Sequence, residues 1–255
     1  MADFRAKTTS HRLDRRSRFL LVVDSDANSL SYTSMLLHRF NYQIFKASTA
    51  EEALQMATVA LPALVITALT LKGMSGFELM QQLREYPITD SIPFIALSRQ
   101  DNLIVKRRCF ELGAVDCLYH PVSPEMLYRA VQVAAEKTPR TSMRIRTSQP
   151  VQVTNMPLEG FEGAYALELS ERGLFLRTMQ LAVRDMRLSL QLDLNGQLIV
   201  TEAIVVYNCP AQAGPYHEPG LGLQFVQISK GDQERIRKFI MTEVMRDIVP
   251  DNYLK

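Results

Sequence analysis

Through the first half of the chain, short apolar runs alternate with segments whose apolar residues recur at helical spacing. Phe19 to Val23 is a run of strand length that stops at Asp24, and Ala27 to Phe40 follows with Leu30, Met35, Leu36 and Leu37 along one helical face. Tyr42 to Ala47 predicts a second strand, and Ser48 with Glu51 has capping-box spacing for a helix to about Ala60. Ala63 to Ala68 is a third strand, followed by a helix over Gly76 to Tyr86 that packs Phe77, Leu79, Met80 and Leu83 and ends at Pro87. Ile92 to Leu97 and Val115 to Tyr119 predict two more strands, separated by a helix from Asn102 to Leu112 that Gly113 stops. Ser123-Pro124 then supplies an N-cap with proline at the first helical position, opening a helix to about Lys137. Five strand-helix pairs predict an α/β doubly wound five-stranded parallel sheet with both faces covered.

Beyond Pro139 the period changes from helical to alternating. Val151 to Thr154, Glu162 to Leu169, Leu174 to Met179, Met186 to Leu192, Gln197 to Tyr207 and Gly222 to Ile228 are short β-type runs separated by polar or glycine-containing turns. Asn195-Gly196 is a strong hairpin signal. Six closely spaced strands predict a small six-stranded antiparallel β-barrel. After Gly231-Asp232, Gln233 to Asp247 predicts a C-terminal helix whose Ile236, Phe239, Ile240, Met241 and Val244 form an apolar face to plug or cover the barrel. The resulting organisation is a basic tail over 1–18, a sheet domain over 19–137, a linker over 138–148 and a barrel with its helix over 149–255.

Composition narrows the class. The 255 residues are 47% hydrophobic and 22% charged, enough core for two domains of ordinary size. No apolar run approaches the roughly 18 residues of a membrane span, and the basic N-terminus has no signal-like apolar segment behind it, so a cytoplasmic protein is expected. Cys109, Cys117 and Cys209 are too few and scattered for a disulfide framework or thiolate zinc site. The net charge of +2 is uneven, because residues 1–18 hold six basic side chains against Asp3 and Asp14. That tail reads either as a solvated arm or as a contact for an acidic partner, a membrane surface or nucleic acid, although no reading helix for nucleic acid accompanies it.

Open α/β sheets place their chemistry at the C-terminal ends of the strands. Asp24, Ser25 and Asp26 follow the first strand, Ala68 ends the third, Ser98 follows the fourth and His120-Pro121 the fifth. Two carboxylates there could hold a hard cation; the alternative places Asp26 before Asn28 as a helix cap or first-turn acid, and Ser98 as a loop hydroxyl satisfied by backbone or water. His11, His38 and His217 lack spacing partners that would suggest a ligand set. In the second half, Arg140 and Arg144 form an RxxxR pair suited to bidentate phosphate contacts and purine stacking, or else an ordinary basic linker. Glu168, Ser170 and Gly173 end one strand and begin a turn, the glycine relieving backbone strain. No nucleophile-base pair or metal cluster is evident, so an enzyme is not expected.

Residues 19 to about 136 resemble a response-regulator receiver domain. That family normally has two adjacent acids after strand one, a phosphorylated aspartate after strand three, a hydroxyl after strand four and a lysine before proline after strand five. Asp24, Ser98 and Pro121 match, whereas Ser25, Ala68 and His120 depart from the pattern. Phosphotransfer needs a carboxylate nucleophile, so the resemblance implies a pseudo-receiver. Residues 139 to 246 resemble the PilZ domain, whose members commonly bind cyclic di-GMP through RxxxR and Asp/Asn-x-Ser-x-x-Gly. Arg140, Arg144, Ser170 and Gly173 match; Glu168 stands at the acid or amide position, and Pro139 where an extra arginine often stands. The resemblance implies a non-catalytic effector that clasps cyclic di-GMP with Arg140, Arg144, Glu168, Ser170 and Gly173 and relays binding to a protein partner. The alternative is a ligand-independent adaptor in motility, polarity or secretion. Receiver resemblance also implies a homodimer through that domain, with no metal expected.

Overall fold

The computed structural model describes residues 19–155, 163–211 and 218–248. The tail over 1–18, His11, Glu162 and His217 lie outside the described residues. Within them the chain divides into two compact units, residues 19–141 with 245–248, and residues 142–244.

The first unit is built on β1 (Phe19–Val23), β2 (Gln43–Ala47), β3 (Leu64–Ala68), β4 (Phe94–Ser98) and β5 (Ala114–Tyr119), all parallel, in the order β2-β1-β3-β4-β5. Helices α1 (Ala27–Arg39), α2 (Ala50–Ala60), α3 (Gly76–Glu85), α4 (Leu103–Glu111) and α5 (Pro124–Ala135) connect or follow the strands. Every residue of β3 and β4 is buried, as expected of central strands covered on both faces. β2 at the edge buries only Ala47 fully. One core cluster includes Leu21, Val65, Leu79, Met80, Leu83 and Phe94.

Local chemistry sets the helix starts. Ser75 accepts from the Glu78 N–H while Glu78 Oε2 accepts from the Ser75 N–H, a reciprocal cap that fixes α3. At α2 the cap falls one residue later than the Ser48/Glu51 spacing predicts. Thr49 Oγ1 accepts from the Glu52 N–H at 3.2 Å, and Glu52 Oε2 accepts from the Ser48 N–H at 2.8 Å. Two overlapping hydroxyl-acid spacings occur in Ser-Thr-Ala-Glu-Glu, and the fold uses the second.

The second unit is a closed antiparallel barrel of β6 (Arg144–Val153), β7 (Tyr165–Ser170), β8 (Gly173–Arg177), β9 (Arg187–Leu194), β10 (Gln197–Cys209) and β11 (Gly220–Gln227), in the ring order β10-β11-β8-β7-β6-β9. Burial alternates along the strands. Leu188, Leu190, Leu192 and Leu194 on β9 and Ile199, Ala203 and Val205 on β10 are buried. Asn195 and Gly196, both at positive φ, close the hairpin between β9 and β10. Helix α6 (Lys230–Met245) buries Ile236, Phe239, Ile240 and Val244. It starts three residues before the sequence predicts, because Ser229 Oγ accepts from the Asp232 N–H at 3.0 Å and acts as its cap.

The larger difference lies at the first barrel strand. The sequence predicts Val151 to Thr154, but β6 begins at Arg144, pairing Arg144 with Ser170, Ile145 with Leu169 and Arg146 with Glu168. Arg-Ile-Arg-Thr-Ser-Gln is too polar to read as a strand alone. Ile145, 4% exposed, is the residue of that segment that enters the core.

Candidate functional site

Two places gather polar side chains, one in each unit. In the parallel-sheet unit the C-terminal strand ends bring Asp24, Ala68, Ser98 and His120 to one edge. β3 ends at Ala68, and α3 begins eight residues later at Gly76, whose N–H donates to the Leu69 carbonyl at 3.0 Å. A Cβ at residue 76 would collide with the Ala68 carbonyl oxygen. That close approach requires glycine at the loop's far end.

Asp24 is 4% exposed, and its Oδ1 accepts the Asp26 N–H at 2.9 Å. Burial raises its carboxyl above the ordinary value. The Asp26 N–H opposes that rise, as do the nearby His120 and Arg99 charges. Asp26 is the N-cap of α1, accepting from the Ser29 N–H at 2.8 Å, and this bond is the main reason its carboxyl is held low. Arg99 Nη2 lies 3.3 Å from Ser29 Oγ and 3.7 Å from Asp26 Oδ2. Ser25 Oγ donates to the Ser48 carbonyl at 3.1 Å and accepts the Lys72 N–H at 2.9 Å. Ser98 Oγ donates to the Gln100 carbonyl at 2.8 Å and accepts its N–H at 3.1 Å. Ser98 is therefore satisfied within its own loop, whereas Ser25 ties the loop after β1 to the loops after β2 and β3. Among the described residues no group of three or more His, Cys, Asp or Glu side chains is placed to hold a metal ion. The sequence reading missed Arg99, a cation facing this edge; its signal was its place directly after Ser98.

In the barrel unit, pairing between β6 and β7 sets the second site. Period-two alternation puts Arg144 and Arg146 on one face and sends Ile145 to the core. Across the ladder, Ser170 lies opposite Arg144 and Glu168 opposite Arg146, so all four share that face. Glu168 is 8% exposed, and its Oε2 lies 3.7 Å from Arg144 Nη1. Ser170 Oγ, also buried, donates to the Gly173 carbonyl at 2.9 Å and closes the turn from β7 into β8. Arg237 on α6 reaches Glu171 in that turn, with Nε 3.8 Å from Oε1.

Gly173 is needed for a different reason than the sequence suggests. Its φ is not in the left-handed region, so it relieves no backbone strain. A Cβ there would instead run into the Leu223 carbonyl oxygen of β11. The structure thus brings Arg144, Glu168, Ser170 and Gly173 together. Arg140 precedes β6 in the other compact unit, where its N–H donates to Oε1 of buried Gln132 at 2.9 Å. Arg146 is the residue sequence reasoning missed, although the Arg-x-Arg spacing places it on the same strand face as Arg144.

With this geometry in view, the chain can be set beside known proteins. The response regulator receiver domain model matches residues 20–132, and the PilZ domain model matches residues 138–242. A probable cyclic di-GMP phosphodiesterase of Vibrio cholerae is 32% identical over 108 residues, 42% of this chain and 24% of that protein's length. An uncharacterized 14.6 kDa protein of Leptolyngbya boryana is 32% identical over 44% of this chain and 86% of its own length. Among solved structures, the signal receiver domain of an HD domain-containing protein from Pseudomonas fluorescens is 28% identical. It aligns with 48% of this chain and 96% of its own, at a TM-score of 0.44. Among the described residues no helix is long and apolar enough to cross a membrane. Through residues 20–132 the chain belongs to the response-regulator receiver family, and over residues 138–242 it carries a PilZ domain.

Proposed function

We propose that the chain is a non-catalytic bacterial signalling protein whose barrel binds cyclic di-GMP and relays that binding to a protein partner. The observation that carries this reading is the shared face of Arg144, Glu168 and Ser170 on the β6–β7 ladder of a PilZ domain, next to the Gly173 turn. Guanidinium forks pair bidentately with phosphate and stack on purines, which gives Arg140 and Arg144 the work of clasping the ligand. Glu168, Ser170 and the Gly173 backbone read a base edge. Both domain families are non-catalytic signalling modules. Ligand that binds one arrangement of the chain better than another shifts its population, and that differential affinity is the signal the partner reads.

The parallel-sheet unit serves as a pseudo-receiver. Ala68 offers a methyl group at the end of β3, which cannot accept a phosphoryl group. Its role is docking or packing, including pairing with a second copy, and neither metal nor nucleic acid is required. The cytoplasm, where cyclic di-GMP is made and read, is its expected place.

A second reading is favoured by the contact between Glu168 and Arg144, which occupies an arginine that ligand would need. In it the chain is a ligand-independent scaffold or adaptor in motility, polarity or secretion. Calorimetric titration with cyclic di-GMP separates the two. Saturable micromolar or tighter binding that Arg144→Ala abolishes supports the effector; no heat and no thermal stabilisation at millimolar ligand leaves the adaptor. Incubation with acetyl phosphate and magnesium tests the other unit, where any acid-stable, hydroxylamine-labile phosphate on the chain refutes the pseudo-receiver.

A further inference from the structure

The contact between Glu168 and Arg144 has a direction that the sequence motif does not reveal. Glu168 sits directly across the ladder from Arg146 and diagonally from Arg144, the two positions from which side chains on one face of a strand pair can meet. Its side chain is 10% exposed, against 38% for Arg144. The carboxylate is therefore the buried partner and the guanidinium the accessible one. A phosphate approaching from solvent meets Arg144 first, with the Glu168 carboxylate already beside it. Glutamate is one methylene longer than aspartate, and that extra reach lets the carboxylate come within 3.7 Å of Arg144 while its backbone stays opposite Arg146.

We infer that Glu168 is an internal competitor for Arg144, a carboxylate that holds the phosphate-binding arginine in the free protein and must give it up when an anionic ligand binds. This rests on the cyclic di-GMP reading and, within it, exchanges the base-reading role proposed above for Glu168 for that of a competitor, leaving Ser170 and the Gly173 backbone to meet the base. Two anions compete for one guanidinium, so the free-state contact subtracts from affinity. Once the ligand phosphate is seated, the displaced carboxylate remains close to it and repels it. Both effects raise the ligand concentration needed for half-occupancy, making the site a high-threshold one. Removing only the charge at residue 168 then tightens binding, the opposite of what a base-contacting acid would show.

The test is titration of the full chain with cyclic di-GMP, comparing wild type with Glu168→Gln, Glu168→Asp and Glu171→Gln. Glu168→Gln keeps the shape and removes the charge. Glu171→Gln makes the same change in net charge in the neighbouring turn, where Glu171 faces Arg237, and controls for general electrostatics. The expected result is a Kd lower by about three- to thirty-fold for Glu168→Gln, with Glu171→Gln within about twofold of wild type. Binding by Glu168→Gln where wild type shows none supports the inference equally. If wild type binds and Glu168→Gln binds equally or more weakly, Glu168 is not a competitor, although the effector reading survives. The same conclusion follows if only Glu168→Asp binds more tightly, since side-chain length and not charge then sets the affinity. If no variant binds at millimolar ligand, both the inference and the effector reading fail. Matching thermal midpoints for wild type and Glu168→Gln confirm that the comparison is made between folded proteins.

Discussion

Replacing Ser170 by alanine tests whether the buried turn between β7 and β8 is held by its side chain. Ser170 is 3% exposed, and its Oγ donates to the Gly173 carbonyl at 2.9 Å. Alanine removes one oxygen and no carbon, so lost apolar burial and cavity formation are minor. The main effect is a buried carbonyl deprived of this donor, a loss that costs about 1–3 kcal/mol. For a unit of roughly 100 residues, each kcal/mol shifts the midpoint by about 4–8 °C, so a central cost of about 2 kcal/mol lowers it by about 8–16 °C. The two units of this chain need not unfold together, and a single global midpoint would blur the effect. Urea unfolding followed by circular dichroism should therefore be paired with hydrogen exchange on peptides covering 165–177. Faster exchange there, with unchanged exchange over 64–68 in the parallel sheet, assigns the loss to the barrel. Glu171→Ala in the same turn is the control, since its long 3.8 Å contact with Arg237 is of the weak, partly exposed kind. A Ser170→Ala stability within about 0.3 kcal/mol of wild type would refute the reasoning, because a made and buried hydrogen bond cannot be deleted that cheaply.

Other outcomes follow from the same physics. Burial raises the Asp24 carboxyl, so the folded state holds its proton more tightly than the unfolded state, and ionised Asp24 costs stability at neutral pH. Asp24→Asn should melt higher than wild type at pH 7, with the difference shrinking as pH falls from the raised folded value through the ordinary value of 3.8; a lower midpoint at pH 7 contradicts this. Arg99→Ala removes a positive charge that opposes that rise, so the gain from Asp24→Asn should be larger in its background, as a double-mutant cycle of midpoints would reveal. Gly76→Ala forces a Cβ onto the Ala68 carbonyl and should destabilise the parallel-sheet unit by about 1–3 kcal/mol, read by hydrogen exchange over 64–80; unchanged protection would mean that the loop can move aside.

Much of the architecture was legible because its signals are local. The eight-residue interval from Ala68 to Gly76 fixes a strand end, a loop and a helix start, and the structure explains the glycine by a carbonyl contact at that interval. Asn195-Gly196 announced its hairpin for a similar reason, since both residues adopt the positive φ their dipeptide favours. What could not be read depends on partners distant in sequence. β6 became a strand as far back as Arg144 only through pairing with β7, and no local pattern in Arg-Ile-Arg-Thr-Ser-Gln reveals that ladder. The same pairing turned Arg146 into a neighbour of Glu168. Gly173 was recognised as a required glycine, but its reason, the Leu223 carbonyl on a strand some fifty residues later, is a tertiary fact. At α2, Ser48 and Thr49 both satisfied the capping pattern, and the fold chose between them.

The closed ring of six strands restricts how this half of the chain can be recognised. A ring has no outer strand, so β6 to β11 leave no terminal ladder on which a foreign segment could be templated. Such templating is a common way for sheets to capture extended peptides, and among the described strands it is available at the margins of the parallel sheet, at β2 and β5. At β2 the outward side chains include Phe45, 43% exposed, beside Lys46, a charge of the kind that discourages indiscriminate strand pairing. Molecules that distinguish this barrel must therefore do so by its side chains and the backbone of its turns, which makes its recognition sensitive to single surface substitutions that leave the strand ladders untouched.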